Sequence, residues 1–501
     1  MKKFALLPLC IAMLAACSNK QTSTELQQVE NTKKPNVVFI LVDDLGYSDI
    51  GAYNADSFYD TPNVDALANQ GVQFTQGYAA NPVCSPSRYG LLTGRHPSRV
   101  DATDWFHVYG WPHRSERFNP APLTQELPLS EQTLAESFKQ AGYATSFLGK
   151  WHLGEESKYW PENQGFDINV GGVANGQPPN GYFSPYKNDR LPDGEDGEYL
   201  TERLTSEAIQ IIEQNAKEDS PFFLYLSFYT VHTPLQAPAD VVSEYQAKSD
   251  NTDTSNSFAG EEQIWPTDEP RKVRVKQNHP TYAAMISKMD SQVGRILQKL
   301  KDENLEDNTI VVFTSDNGGL STAEGSPTSN MPLRGGKGWL YEGGIRVPFI
   351  VKIPGAKANG TKVNEPVVGT DFYPTLLQAA GIPLNPQQHQ DGVALTPLLQ
   401  SYGEIAERPI YFHYPHYSNQ GGFPGSAVVL GDWKLLERFE DGKVQLFNLR
   451  DDIGETNDLS QQKPAKTSEL RKLLHNWYQE VNAKFIQPKN NIKPWSSNLN
   501  G

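Results

Sequence analysis

The chain has 501 residues, and its 44 lysines and arginines stand against 59 aspartates and glutamates, a formal net charge of −15. Because a negative field repels phosphate backbones, this charge excludes a generally basic nucleic-acid-binding surface, and we expect no nucleic-acid partner. The hydrophobic fraction of 38% with 11% aromatic residues excludes an intrinsically disordered chain, and three cysteines exclude a disulfide scaffold.

The N-terminus combines Lys2 and Lys3 with an apolar run from Phe4 to Ala16. This run is too short to cross a bilayer core of about 30 Å as a helix, but it is typical of a secretory signal. The sequence LAAC that ends at Cys17 resembles the site at which bacterial lipoproteins are cleaved and acylated. We therefore predict a signal peptide over residues 1–16 and lipidation of Cys17, with more than one acyl chain for stable anchoring.

The residues after Cys17 predict where the protein is anchored and how. Ser18 rather than an aspartate follows the cysteine, which by the same resemblance favours the outer membrane of a bacterial envelope. Residues 18–34 are polar and lack aromatic side chains, so we predict a flexible tether over residues 17–34. Whether the protein faces the periplasm or the cell surface stays open.

Strand and helix patterns alternate over residues 35–402. Continuous apolar and β-branched runs, typical of buried strands, lie at residues 36–42, 221–228, 309–314 and 347–353. Helical patterns lie at residues 61–70, 130–140, 282–301 and 371–380. This alternation predicts a doubly wound α/β sheet flanked by helices.

The pattern changes after about residue 402. Strands predicted at 427–434, 435–439 and 444–448, followed by a helix at 468–481, indicate a smaller C-terminal α+β subdomain over residues 403–501. Residues 246–280 are polar and predict a long surface insertion. Two interpretations of the basic residues in this insertion stay open: they lie on a solvated strand edge, or they contact an anionic substrate.

Acidic and amide side chains follow two of the predicted strands. Asp43 and Asp44 come directly after the first strand, and Asp316 and Asn317 follow the strand at 309–314. In open α/β sheets ligands bind at the carboxyl ends of strands, and these side chains offer only oxygen ligands. A hard cation is the matching ion, with Ca²⁺ favoured slightly over Mg²⁺, although such residues also occur in turns.

Cys84 is the one cysteine left for the folded domain once the signal peptide is removed and Cys17 is acylated. Ser85 and Pro86 can begin a helix, which places Cys84 at its N-terminus, where the helix dipole favours negative charge. A lone cysteine is otherwise most often a buried, inert side chain.

The sequence from Cys84 to Arg88, CSPSR, and the LLTGR at 91–95 resemble the signature of the formylglycine-dependent sulfatases. Further motifs match this family in order and spacing over residues 35–460, namely Asp43-Asp44, GKWHLG at 149–154, HTP at 232–234, SDNG at 315–318, and GGKG at 335–338 leading to EGGIRVP at 342–348. The resemblance implies an alkaline-phosphatase-like fold with a mixed sheet. It also implies that a maturation enzyme converts Cys84 to formylglycine.

The resemblance also implies the roles of the site residues. Arg88 would bind the formylglycine oxygen, Lys150 and Lys337 would neutralise the sulfate, and His152 would be the base that releases it. His232, with Lys337, would meet the leaving alkoxide. One cation per chain would be held by the residues at positions 43, 44, 84, 316 and 317.

Formylglycine suits sulfate ester hydrolysis better than a thiol does. A thiolate that attacked sulfur would leave a stable thiosulfate adduct, whereas a hydrated aldehyde can collapse and release sulfate. The sequence therefore predicts a sulfatase. The alternatives are a phosphonate monoester or phosphodiester hydrolase of the same superfamily, and a non-catalytic glycan-binding lipoprotein.

Two aromatic and histidine-rich stretches are candidate sugar subsites. The first spans residues 105–114 and contains His107 and Arg114, and the second spans residues 411–417 and contains His413 and His416. Aromatic faces stack on pyranose rings, and His and Arg bind hydroxyls or further sulfates. Packing between the two domains is the competing explanation. For an envelope lipoprotein we expect a sulfated polysaccharide or its oligosaccharides as substrate, with marine algal types such as ulvan or carrageenan favoured.

Overall fold

The computed structural model describes Met1 and residues 33–107, 118–262, 270–401 and 403–489. Residues 2–16 of the predicted signal peptide, most of the tether including Cys17, and Arg114 lie outside the described residues. From Lys34 onwards the chain forms one compact unit. None of the helices that the structure describes has the length and hydropathy of a membrane-spanning segment.

The strands of the described residues are β1 (Asn36–Val42), β2 (Val72–Phe74), β3 (Gly77–Tyr78), β4 (Phe118–Asn119), β5 (Ala144–Gly149), β6 (Ile168–Val170), β7 (Phe222–Ser227), β8 (Phe258–Gly260), β9 (Lys272–Arg274), β10 (Thr309–Ser315), β11 (Phe349–Lys352), β12 (Thr361–Val363), β13 (Val367–Val368), β14 (Ile410–Tyr414), β15 (Gly425–Leu430), β16 (Trp433–Arg438), β17 (Val444–Asn448) and β18 (Gln487–Pro488).

The helices of the same part of the chain are α1 (Pro62–Gln70), α2 (Cys84–Thr93), α3 (Leu134–Gln140), α4 (Leu200–Glu218), α5 (Ala239–Asp250), α6 (Pro280–Asp302), α7 (Glu342–Ile345), α8 (Phe372–Ala379), α9 (Thr396–Ser401) and α10 (Pro464–Glu480).

A mixed sheet with the order β12-β2-β11-β10-β1-β7-β5-β6 forms the centre of the molecule. The strands β10, β1, β7, β5 and β6 are parallel, and Val37 of β1 lies between Ile310 and Phe223. The strand β11 runs antiparallel to both β10 and β2. The mixed α/β sheet is therefore confirmed. The direction of β11 could not be predicted, because a strand buried on both faces has the same hydropathy in either direction.

Helices cover both faces of this sheet, as the alternation of side chains along β1 shows. Val38 and Ile40 of β1 belong to a buried cluster with residues of α1, α4 and α6. Val37 and Phe39 belong to a second cluster with residues of α3, α8 and α9 on the opposite face. Successive side chains of a strand point to opposite faces, so this uniformly apolar strand is fully buried between two helical layers.

The helix boundaries follow local capping signals. The helix α1 starts at Pro62 and ends before Gly71, as predicted. The helix α3 begins at Leu134 and not at residue 130, because Thr133 caps it. The Thr133 hydroxyl accepts from the amide of Glu136, and the Glu136 carboxylate accepts from the amide of Thr133. This reciprocal pair satisfies two amides that otherwise lack helical partners.

The C-terminal region forms a four-stranded antiparallel sheet with the order β14-β15-β16-β17. The single strand predicted over residues 427–434 is wrong, because a turn at Gly431, with a φ of 57°, separates β15 from β16. Left-handed backbone of this kind favours glycine. One face of the sheet packs on α10, and the other packs on Trp339 and Tyr341.

A buried ion cluster links this sheet to the rest of the chain. The Lys434 ammonium lies 2.9 Å from the carboxylate of Glu342 in α7 and 2.8 Å from that of Glu455, and all three side chains are fully buried. Burial and the nearby Glu342 raise the pKa of Glu455 to about 7, although Lys434 opposes the shift. Lys434 therefore provides the countercharge for two carboxylates that water does not reach.

Replacing Lys434 by methionine is expected to lower the free energy of unfolding by about 3–5 kcal/mol, because buried Glu455 loses its cation and buried Glu342 keeps only Arg346, which lies 3.2 Å away. These carboxylates then hold protons more tightly in the folded than in the unfolded state, so the loss shrinks as the pH falls from about 8 to about 5. Urea denaturation at both pH values measures the effect. Lys472→Met on the exposed face of α10 is the control, and an equal loss in both variants would contradict the assignment.

Candidate active site

The predicted acidic residues meet at the carboxyl ends of β1 and β10. Asp43 and Asp44 follow β1, and Asp316 and Asn317 follow β10, which pairs with β1 in parallel. Asp44 has a φ of 59°, and this turn of the backbone brings both adjacent carboxylates to one site. The amide of Asp44 donates to the Asp316 carboxylate over 3.2 Å.

Cys84 is the first residue of α2 and is 1% exposed. Its Sγ lies 3.7 Å from Oδ1 of Asp43 and 4.0 Å from Oδ1 of Asp44. Burial raises the pKa of the Cys84 thiol to about 12, although the nearby Lys150 and Lys337 oppose the shift. Cys84 therefore lies at a helix N-terminus, as predicted, but the cost of desolvation outweighs the favourable effect of the helix dipole on negative charge there. The unmodified side chain is a neutral thiol.

Each of the three carboxylates has its own buried cation. Lys150 Nζ lies 2.7 Å from Asp43, Lys337 Nζ lies 2.9 Å from Asp44, and Arg88 Nε lies 2.8 Å from Asp316. Arg88 also donates from Nη1 to the Lys150 carbonyl and to the Ser227 hydroxyl, so its guanidinium is held rigidly. The formal charges of these six side chains cancel.

Asn317 completes the set of oxygen ligands. Its side-chain nitrogen donates to Oδ1 of Asp44 over 2.8 Å, which fixes the amide orientation. The Oδ1 atom of Asn317 is buried and has no hydrogen-bond partner within the described part of the chain. A buried acceptor without a donor is costly, and a bound cation satisfies it.

The carboxylates themselves fit a divalent cation. Oxygen atoms of Asp43, Asp44 and Asp316 and the Sγ of Cys84 all lie within 4.8 Å of one another. Burial and the neighbouring Asp316 and Asp44 raise the pKa of Asp43 well above its usual value, even with Lys150 beside it. This crowding of negative charge is what a hard cation such as Ca²⁺ or Mg²⁺ relieves.

His152 lies at the wall of the site as a neutral ring. Burial, reinforced by Lys150 and Arg88, lowers the pKa of His152 well below its usual value. Its Nε2 lies 3.3 Å from the carbonyl oxygen of Phe106 and donates to it. The neutral ring therefore carries its hydrogen on Nε2. The Nδ1 atom, which has no hydrogen-bond partner in the described ranges, is left as the acceptor.

His232 and Lys337 approach Asp44 together. Nδ1 of His232 donates to the Thr233 carbonyl over 2.8 Å, and Nε2 lies 3.7 Å from Asp44. Burial and the nearby Lys337 lower the pKa of His232 to about 3, whereas Asp44, opposing burial, raises the pKa of Lys337 well above its usual value. Of the two residues predicted to meet the leaving oxygen, Lys337 is the one that carries a charge.

A cavity of about 690 Å³ opens above these residues and gives access to Cys84. The residues that line it are Cys84, Trp105, Phe106, His107, His152, Glu155, Ala174, Asn175, Gly176, Gln177, His232, Thr233, Glu324, Lys337, Asn419 and Gln420. His107 stacks against His152 with ring centroids 6.2 Å apart. The structure therefore brings His107 to the cavity, as the sequence predicted.

His413 and His416 do not line this cavity. His413 is fully buried, and its two ring nitrogens lie 2.7 Å from the Ser426 hydroxyl and 2.8 Å from the Lys484 carbonyl. His416 is also buried and lies 2.9 Å from the Thr103 hydroxyl. The prediction that these two histidines contact substrate is wrong, because both side chains are packed and hydrogen-bonded inside the protein.

Several lining residues were not predicted from the sequence. Glu324, Asn419 and Gln420 come from two loops far apart in the chain, one after the SDNG motif at 315–318 and one after the stretch at 411–417. No local signal marks these three residues as cavity residues. The loop at 174–177 carries one usable signal, a glycine between polar residues. A Cβ atom on Gly176 would lie 2.5 Å from Cε1 of His152, so only glycine lets this loop approach the ring.

The sequence matches sulfatases both as a family profile and as individual relatives. The sulfatase family profile matches residues 35–382, and a profile for the C-terminal region of N-sulphoglucosamine sulphohydrolase matches residues 336–484. A sulfatase from Formosa agariphila is 30% identical over 93% of this chain and 91% of its own length. N-acetylgalactosamine-6-sulfatase from Mus musculus is 32% identical over 80% of this chain and 71% of its own.

Among solved structures, Ps i-CgsB in complex with k-i-k-neocarrahexaose is similar, with a TM-score of 0.71 and 28% identity over 89% of this chain and 92% of that one. The fold, the extent of the family match and the order of the motifs all agree. The chain belongs to the sulfatase family and is a sulfuric ester hydrolase.

Proposed function

We propose that this protein is a formylglycine-dependent, divalent-cation-dependent sulfatase that removes sulfate from a sulfated polysaccharide or its oligosaccharides. The observation that carries this proposal is the position of Cys84, buried at the floor of an open cavity and surrounded by three carboxylates with their three cations. A neutral thiol there is a poor nucleophile, so the site needs the aldehyde that the CSPSR sequence predicts.

Residues of this chain can stabilise each charge that develops during the proposed reaction. One hydroxyl of a hydrated aldehyde at position 84 attacks sulfur, the S–O bond to the alcohol breaks, and the alcohol leaves with a proton. Deprotonation of the second hydroxyl then breaks the C–O bond to the sulfate, which releases sulfate and restores the aldehyde for rehydration by water. Lys150 and Lys337 neutralise sulfate oxygens, and Lys337 also faces the departing alcohol oxygen. Neutral His152 accepts the proton of the second hydroxyl at Nδ1, and Arg88 keeps Asp316 and the loop at Lys150 in position.

The cation would be held by Asp43, Asp44, Asp316 and Asn317, together with the modified residue at position 84. Bound there, it would polarise sulfate oxygens and lower the pKa of the attacking hydroxyl. Since the six charged side chains of the site cancel one another, the cation would also supply the positive charge that an anionic ester needs. Ca²⁺ is proposed over Mg²⁺ because three carboxylates and an amide make a large oxygen-only set.

The proposed substrate class is a sulfated glycan, of carrageenan or ulvan type. The similar structure of Ps i-CgsB contains a carrageenan hexasaccharide, and this supports a carbohydrate substrate here. The cavity of about 690 Å³ has room for a sugar residue, and the partly exposed Trp105 and His107 supply ring faces on which a sugar can stack.

Cys84→Ala is expected to abolish sulfate release, because the variant cannot carry the aldehyde nucleophile. Mass spectrometry of the peptide that contains residue 84 should show an aldehyde in active protein and a thiol in protein made without the maturation enzyme. His152→Ala is the matched variant, since it keeps the aldehyde but should lose about 10²–10⁴-fold in kcat. Full activity of a thiol-bearing chain, or faster hydrolysis of phosphate mono- or diesters than of sulfate esters, would refute the proposal.

Removal of divalent cations is expected to abolish activity, and Ca²⁺ is expected to restore it. Binding to the folded state also raises the melting temperature of the chelator-treated protein, which gives a readout independent of catalysis. Asn317→Ala should weaken that Ca²⁺-dependent shift because it removes a ligand oxygen. Asn359→Ala is the control, and it should leave the shift unchanged because Asn359 is not one of the proposed ligands. Full activity in the presence of excess chelator would exclude the cation.

We also propose that the protein is a lipoprotein of the bacterial envelope, anchored through Cys17, with the outer membrane favoured. The support is the sequence at residues 1–18. Cys17→Ala should move the protein from the membrane fraction to the soluble fraction of cells, because the acyl chains are its anchor. A wild-type protein that is already soluble after cell breakage would refute the anchor.

A further inference from the structure

One wall of the cavity presents hydrogen-bond acceptors in a fixed arrangement. Gln420 is 2% exposed, and its Oε1 accepts from the Ser418 hydroxyl over 2.6 Å. This contact turns Nε2 of Gln420 toward Glu324, to which it donates over 2.6 Å. The Glu324 carboxylate is also approached by the Thr233 hydroxyl at 3.4 Å. A buried side chain therefore holds Glu324 at the rim of the cavity.

Asn419 adds a second acceptor beside Glu324. Its side-chain nitrogen lies 3.4 Å from Oε1 of Glu324, which leaves its Oδ1 directed elsewhere. That Oδ1 is buried and has no hydrogen-bond partner among the residues that the structure describes. A carboxylate and an unpaired amide oxygen on one wall match the O–H groups of a sugar, which are donors.

The charge of the cavity is unfavourable for additional anions. Apart from its histidines and Cys84, the described lining carries two carboxylates, Glu155 and Glu324, and one ammonium, Lys337. Lys337 is already paired with Asp44 at 2.9 Å. An anionic group placed near Glu324 meets a like charge, and among the described lining residues no lysine or arginine other than the paired Lys337 can offset it.

We propose that Glu324 and Asn419 form a specificity wall that binds hydroxyl groups of a neutral hexose carrying a single sulfate. A second sulfate or a carboxylate on the same ring is disfavoured there. This inference rests on the proposed function, since it concerns the sugar that carries the sulfate to be removed. It narrows the substrate class from sulfated glycans in general to those whose target ring has one charged group.

The test compares kcat/KM for sulfate release from two matched oligosaccharides, one whose target hexose carries one sulfate and one with a second sulfate on that same hexose. Wild-type protein with the aldehyde at position 84 should prefer the monosulfated ring by about tenfold or more. Glu324→Gln keeps the side-chain size and a hydrogen-bonding oxygen but removes the charge. It should reduce this preference by about tenfold, mainly by lowering KM for the disulfated ring.

Glu156→Gln is the matched control, because Glu156 is exposed, pairs with Lys158 and does not line the cavity. It should leave the preference unchanged. Equal rates on the two oligosaccharides, or an unchanged preference in Glu324→Gln, would overturn the inference while leaving the sulfatase proposal intact. If aldehyde-bearing protein released sulfate from neither oligosaccharide, both the proposed function and this inference would be refuted.

Discussion

The site depends on three carboxylates that are fully buried at the ends of two adjacent parallel strands. Asp43, Asp44 and Asp316 are each at most 1% exposed, and charge of one sign in such a small volume is strongly unfavourable. The fold provides three cations from three other segments, namely Arg88 on α2, Lys150 after β5 and Lys337 in the loop before α7. The fold brings these three segments together at the carboxyl ends of β1 and β10.

This balance explains how an acidic protein can act on an anionic ester. The whole chain carries −15, and the charged side chains of the site sum to zero. The protein alone therefore gives the sulfate position no net positive charge. The partnerless oxygen of Asn317 and the raised pKa of Asp43 both support the proposed cation site. In the proposed mechanism a bound cation would supply the positive charge, and the lysines and Arg88 would balance the carboxylates that hold it.

The C-terminal sheet contributes both stability and a part of the cavity. Lys434 of β16 compensates two buried carboxylates, one of them on α7 directly after the loop of Lys337. The segment between β14 and β15 supplies Asn419 and Gln420 to the cavity wall. The C-terminal region therefore contributes polar groups to the cavity that gives access to Cys84. The histidines of the same segment are buried within the protein.

The sequence by itself determined the fold class, the acidic clusters after β1 and β10, and the position of Cys84 at the start of a helix, because these depend on local hydropathy and on contiguous motifs. Only the tertiary structure decided the direction of β11, the burial of His413 and His416, and the meeting of Glu324 with Gln420. Hydropathy reports whether a strand or a histidine-rich stretch is apolar or polar, but not which neighbour it faces. The contact between Glu324 and Gln420 joins loops 96 residues apart, and no local pattern encodes such a distance.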